Sequence, residues 1–184
     1  PRTLADCISG RISADGQSVV LSGVMENKER FLNANRIIIV ACGTSWHAAL
    51  IGKHLFEDYC RIPVTVEYAS EFRYSNPVVT DKDVLIALSQ SGETADTLAA
   101  LELAKANGAF VFGICNVIGS SIPRATHSGC YIHVGPEIGV ASTKAFTGQV
   151  TVLAMMSMLI GQMKGIVDQQ TLSTIANDIR RVPT

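Results

Sequence analysis

Residues 89–94, Ser-Gln-Ser-Gly-Glu-Thr, place three hydroxyls and an amide around a glycine directly ahead of a helical stretch. Ser89, Ser91 and Thr94 each have a proton to donate, Gln90 offers an amide, and Gly92 allows a tight turn and a close backbone approach. The free amides of the helix start, expected at 93–96, carry the positive end of the helix dipole. Together these groups make a phosphate cradle that needs no lysine or arginine. They suit a plain helix cap equally well, with Ser89 or Ser91 bonding the first turn. Cys42-Gly43-Thr44-Ser45 repeats the arrangement, and Thr44 or Ser45 there also suits a cap. Two such clusters at neighbouring strand ends favour a ligand over two caps. Glu93 and Asp96 are like-charged to a phosphate, so their carboxylates are expected to point away from the loop.

Other chemistry-bearing residues give weaker signals. His47 lies in the first turn of an expected helix near the site, whereas His54, His127 and His133 are scattered. A lone histidine more often packs than catalyses. Glu137, between two glycines, suits either a base or a turn-stabilising acceptor, with the second favoured. Lys144 suits a ligand contact or a side chain snorkelling from a helix start. Cys42 reads as a small buried residue. Neither GxGxxG nor GxxxxGK[ST] occurs, which disfavours a dinucleotide or a P-loop nucleotide.

These residues need elements to position them. The run 36–45 is a β-branched strand ending in glycine and hydroxyls, and continuous runs of this kind are buried on both faces. Residues 63–69, 83–91, 109–116 and 129–135 read as four more strands. Helical spacing covers 45–60, 93–107, 141–164 and 168–180, with Asn107-Gly108 closing the second of these. Alternating strands and helices imply βαβ units, a parallel sheet and helices on both faces. In such sheets ligands bind beyond the carboxyl ends of the strands. "CGTS", "SQSGET" and "CNVIGSS" lie at such ends, and "GVASTK" starts the long helix. Residues 1–34 read as an extended lead-in with one short helix at 24–33.

The chain has 184 residues, 47% hydrophobic and 17% charged, with net charge −1. That length suits one well-buried domain, and the balance gives no sign of a nucleic-acid partner. Five scattered cysteines with no CxxC and no metal-like spacing suggest reduced thiols in a cytoplasmic protein, and no metal or cofactor is expected. No signal peptide is visible, and a start at Pro1 fits a fragment or a processed chain. Residues 150–163 are strongly apolar but fall short of the roughly 20 residues a spanning helix needs, so no membrane partner is expected. The long helix is apolar on nearly every face. One face should pack on its own sheet and the other, carrying Met155 and Met158, on a second copy or another domain.

"ACGTSWHA", "EYASEFRY", "LSQSGETADTL", "ICNVIGSSI" and "GPEIGVASTKAFT" together resemble the isomerase half of the glucosamine-6-phosphate synthase family, the glutamine–fructose-6-phosphate aminotransferases (isomerizing). The likeness runs in order from about residue 8 to about 164. Within the wider sugar isomerase (SIS) domain family, "SQSGETADT" with "EIGVASTKA" is specific to this enzyme family. The resemblance implies an α/β SIS domain at 35–184, a flavodoxin-like three-layer αβα sandwich around a five-stranded parallel sheet. It implies that Ser45, Ser89, Gln90, Ser91 and Thr94 hold the phosphate of a hexose 6-phosphate. Thr44, Val140 (through its backbone) and Ser142 would contact the sugar. It further implies a glutaminase domain and a second SIS domain in the parent chain, a homodimer, and catalytic groups that all lie outside this segment. The residues alone also leave open a stand-alone sugar-phosphate sensor and a single-domain aldose–ketose isomerase with Glu137 as base.

Overall fold

Three short helices open the chain: α1 (Arg2–Ile8), α2 (Ser22–Glu26) and α3 (Lys28–Leu32). The computed structural model describes residues 1–182, so the last two residues of the expected 35–184 domain lie outside the described residues. The β-branched run forms β1 (Arg36–Ala41), and only Cys42 separates it from α4 (Gly43–Cys60). Then come β2 (Val64–Tyr68), α5 (Ala69–Phe72), β3 (Asp83–Ser89), α6 (Ala95–Ala106) and β4 (Phe110–Cys115). The chain continues through α7 (Ser121–Ala125), β5 (Ser128–Tyr131), α8 (Lys144–Met163) and α9 (Gln169–Arg181).

The five strands pair in parallel in the order β2-β1-β3-β4-β5. This is a doubly wound sheet whose strand order reverses between β1 and β3, where such sheets bind ligands. Successive strand residues face opposite layers. Ile37, Ile39, Val84, Ile86 and Leu88 join a core with α1, α2, α3, α4, α8 and α9. Ile38, Val40, Leu85 and Ala87 join a second core with α5, α6 and α7. Full burial of each such Ile or Leu contributes about 1.5–3 kcal/mol, which is why runs buried on both faces hold the sheet centre. At the opposite end of the sheet, buried Asp83 takes a two-pronged contact from Arg36, at 3.2 and 3.0 Å, which ties the starts of β1 and β3.

Two expectations are corrected. Residues 1–34 are not an extended lead-in, because Cys7, Val24 and Phe31 are fully buried in the same core as β1 and α8. The long helix does not need a partner to cover Met155 and Met158, since both are fully buried within one chain. Its sides pack on α4, α1 and α9, so the short terminal helices cover what the sheet cannot. By length and composition α8 could cross a membrane, but 67% of its apolar window is buried inside the protein, as in a core helix.

Candidate functional site

The switch point brings two helix starts together. α4 begins one residue after β1, so Thr44 and Ser45 sit in its first turn rather than on the strand. Neither is the cap: that position is Cys42, whose side chain makes no capping bond. β3 ends at Ser89, and Gln90 to Glu93 form the loop into α6, whose cap position is Thr94. Thr94 makes no side-chain capping bond either. Its Oγ1 lies 3.1 Å from Ser89 Oγ instead. The capping explanation of the two hydroxyl clusters is therefore set aside.

The loop's hydroxyl oxygens are already used as acceptors. The Gly92 amide donates to Ser89 Oγ at 3.0 Å, and the Glu93 amide donates to Ser91 Oγ at 3.2 Å. With those lone pairs engaged, the protons of Ser89 and Ser91 remain for a ligand or a neighbour. Gly92 has φ +67°, and a Cβ there would stand 1.9 Å from Ser120 Oγ, so only glycine fits.

The polar "CNVIGSS" stretch buttresses this loop. The Asn116 amide donates to the Gln90 carbonyl at 3.1 Å and the Ile122 amide to the Gly92 carbonyl at 2.9 Å. The Glu93 carboxylate accepts from the Ser121 amide at 2.9 Å, and the Ser121 hydroxyl first, then this amide, hold its carboxyl below the usual range. Asp96 pairs with Arg73 at 3.1 Å. Both carboxylates are engaged outside the loop's hydroxyls.

A cleft of about 200 Å³ joins the pieces. Thr44, Ser45, Ser89, Gln90, Ser91, Thr94, Val140 and Ser142 all line it, with Cys42, Gly43, Leu88 and Gly139. No lysine, arginine, aspartate or glutamate is among these lining residues. Cys42, expected to be buried, is half-buried in this wall, its Sγ 4.0 Å from Thr97 Oγ1.

The stretch 136–142 arrives as a loop ahead of α8, with Ile138 and Val140 fully exposed. Glu137 fastens it, accepting from Ser142 Oγ and from the Ala145 amide, each at 2.9 Å. The Ala145 amide is the main reason its carboxyl lies below the ordinary range, and the Ser142 hydroxyl and the Lys144 charge add to the effect. Glu137 is thus the turn-stabilising acceptor. Lys144 lies outside the cleft lining, and its Nζ donates to the Pro136 carbonyl.

No histidine lines the cleft. His47 meets the Trp46 ring edge-on at 5.1 Å, and His127 Nδ1 accepts from the Val111 amide at 3.0 Å. Burial pushes the thiols of Cys60, Cys115 and Cys130 up to about 12 and that of Cys7 to about 11, which leaves them unreactive. Among the described residues no three His, Cys, Asp or Glu side chains converge as metal ligands would.

One participant has no local signal in the sequence. Gln149 of α8 reaches across to Ser45 Oγ at 2.9 Å from 104 positions away.

Residues 30–159 match the family described as SIS domain. The chain is 64% identical over 183 residues to a Bacteroides thetaiotaomicron protein named glutamine–fructose-6-phosphate aminotransferase [isomerizing], covering all of this chain and 30% of that one. A Chlorobaculum tepidum protein of the same name is 54% identical with the same coverage. The chain thus spans about a third of the length of these relatives. Among solved structures, the C-terminal domain of glucosamine-fructose-6-phosphate aminotransferase from Francisella tularensis superposes with a TM-score of 0.91 at 35% identity, over 99% of this chain and 51% of that one.

Proposed function

The chain belongs to the SIS domain family, and on that premise we propose that it is the hexose 6-phosphate-binding part of a glutamine–fructose-6-phosphate aminotransferase (isomerizing). The observation that carries the reading is the uncharged cleft at the β1–β3 switch point, with two uncapped helix starts opening onto it. Helix dipoles and neutral donors suit a phosphate dianion there. Ser45, Ser89, Gln90, Ser91 and Thr94 hold the phosphate, and Thr44, Val140 and Ser142 meet the sugar. Identity of 64% along the whole chain to a protein of that name supports the choice of substrate.

In the parent enzyme this segment works in the cytoplasm, beside a glutaminase domain that frees ammonia and a second SIS domain that supplies the base for the C1–C2 proton shift, within a homodimer. Its own residues bind and orient the sugar phosphate. Glu137 is spent on Ser142 and Ala145 and its carboxyl is held low, so it is a poor base for a carbon acid.

The test is a thermal shift of the 184-residue chain. Fructose 6-phosphate and glucosamine 6-phosphate at a hundred times their dissociation constants should stabilise it by about 2.7 kcal/mol, and fructose should not. Equal shifts with fructose and its phosphate, or none with either phosphate, would remove the assignment. A coupled assay of glucose 6-phosphate formed from fructose 6-phosphate should show no turnover by the chain alone. Turnover lost in Glu137→Gln would favour a single-domain isomerase.

A further inference from the structure

Gln149 is fully buried in the interface between α8 and α4. The helices run side by side from the cleft, with Leu153 against Gly52 so closely that a Cβ on the glycine would sit 2.9 Å from a Leu153 methyl. An amide in that setting is costly to bury wherever its polar atoms lack hydrogen-bond partners. Its Nε2 donates to Ser45 Oγ at 2.9 Å, while its Oε1 has no partner. A side chain kept for packing alone would be apolar here, as neighbouring Ala48, Ala49 and Val152 are.

Ser45 is itself 6% exposed and reaches the cleft. A serine hydroxyl has one proton and two lone pairs. Gln149 occupies a lone pair from the protein side. Among the described residues Ser45 Oγ donates no hydrogen bond, so its proton is left for the cleft. Ser91 has the same polarity, its oxygen accepting from the Glu93 amide, and Ser89 Oγ accepts from the Gly92 amide while sharing a hydrogen bond with Thr94 Oγ1. Ser142 has the opposite one, since its proton goes to Glu137 and a lone pair remains for a ligand hydroxyl.

We infer that Gln149 is a positioning residue that sets the Ser45 hydroxyl as a donor, giving the cleft a proton-donating end for the phosphate opposite an accepting end for a sugar hydroxyl. The inference rests on the sugar-phosphate reading of the cleft. Gln149 touches no ligand and acts only through Ser45.

A double-mutant cycle tests it, with calorimetric titration of fructose 6-phosphate and of inorganic phosphate into the unsubstituted chain, Gln149→Met, Ser45→Ala and the double variant. Methionine keeps the volume and removes the donor. Gln149→Met should weaken both ligands roughly three- to tenfold, the range of one ordinary hydrogen bond. The double variant should bind no more weakly than Ser45→Ala alone, because the two residues act as one unit. The unfolding midpoint of Gln149→Met should hold or rise. A purely structural glutamine would instead lower it, and would weaken binding by the same factor with or without Ser45. Either that pattern or unchanged affinity in Gln149→Met, alongside weakened binding in Ser45→Ala, overturns the inference and leaves the sugar-phosphate reading standing. Failure of the unsubstituted chain to bind either ligand removes both.

Discussion

The starts of α7, α8 and α9 each have backbone amides bonded to a carboxylate, whereas at α4 and α6 no carboxylate takes that place, Asp96 in the first turn of α6 being paired with Arg73. Glu93 accepts from Ser121, Glu137 from Ala145, and Asp168 from Thr171, at 2.9, 2.9 and 2.7 Å. A carboxylate at a helix start answers the free amides and the dipole at once. At Cys42 and Thr94 the protein forgoes that device and the roughly 1 kcal/mol it typically contributes. Those two starts are the ones that open onto the cleft. The short α1, α2, α3 and α5 lack a side-chain cap as well, but among the five starts compared, the two without a carboxylate acceptor are the two at the cleft.

Converting one kind into the other is the most severe test. Thr94→Asp places a carboxylate on the start of α6, where it should serve as a cap and leave stability unchanged or improved. It removes a donor worth about 1.5–3 kcal/mol to a charged partner. It also adds repulsion of about 4 kcal/mol for unit charges 4 Å apart at an effective dielectric constant of 20. Binding of fructose 6-phosphate should fall more than about a hundredfold with the fold intact, measured by calorimetry beside chemical denaturation. Undiminished affinity would end the comparison between the two kinds of helix start.

Gly92→Ala should come next. The added Cβ collides with Ser120 Oγ and the backbone is left-handed there, so the loop must shift at a cost of about 1–3 kcal/mol in stability. Ser89→Ala is smaller and cleaner. It should weaken binding about ten- to a hundredfold while leaving the unfolding midpoint within a few degrees. A Gly92→Ala chain with full stability and affinity would show that the Ser120 buttress does not set the loop.

Much of this was readable from local chemistry. The five strands lie within a few residues of their expected bounds, the central ones because buried apolar runs have few structural uses, whereas β5, Ser-Gly-Cys-Tyr and only half-buried, is not such a run. Local chemistry marked the two hydroxyl clusters at strand ends without separating a ligand site from helix caps, and the family resemblance supplied the eight residues, Val140 and Ser142 among them, that line one cleft. The four-residue α5 and five-residue α7 went unseen, since neither is long enough to show a period. Helix α1 was missed because its one buried anchor, Cys7, is isolated among polar neighbours. The brace of Gly92 by Ser120 and the reach of Gln149 to Ser45 span 28 and 104 positions, and no local pattern encodes contacts at that range.

The gentlest test separates the two kinds of helix start by pH. Glu93, Glu137 and Asp168 are each held below their ordinary values, mainly by the hydrogen bond to Ser121, Ala145 and Thr171 respectively. A carboxyl depressed in the folded state contributes fully above its unfolded value, about 3.9–4.3, and loses that contribution as pH falls through the folded value. His127 and His133, lowered chiefly by burial, have the same sign, but their loss begins below about 6.5. The cleft lining has no charged side chain to titrate. Its affinity should therefore follow the ligand's own second ionisation, near pH 6, falling between pH 7 and 5. Loss of the carboxylate contributions to stability should appear only below about pH 4.5. Glu137→Gln should flatten part of the acid loss in the unfolding midpoint and leave the slope of affinity between pH 5 and 7 unchanged. An affinity profile in Glu137→Gln that shifts along with the midpoint would mean that a carboxylate-held helix start takes part in holding the anion, and the division between the two kinds would fail.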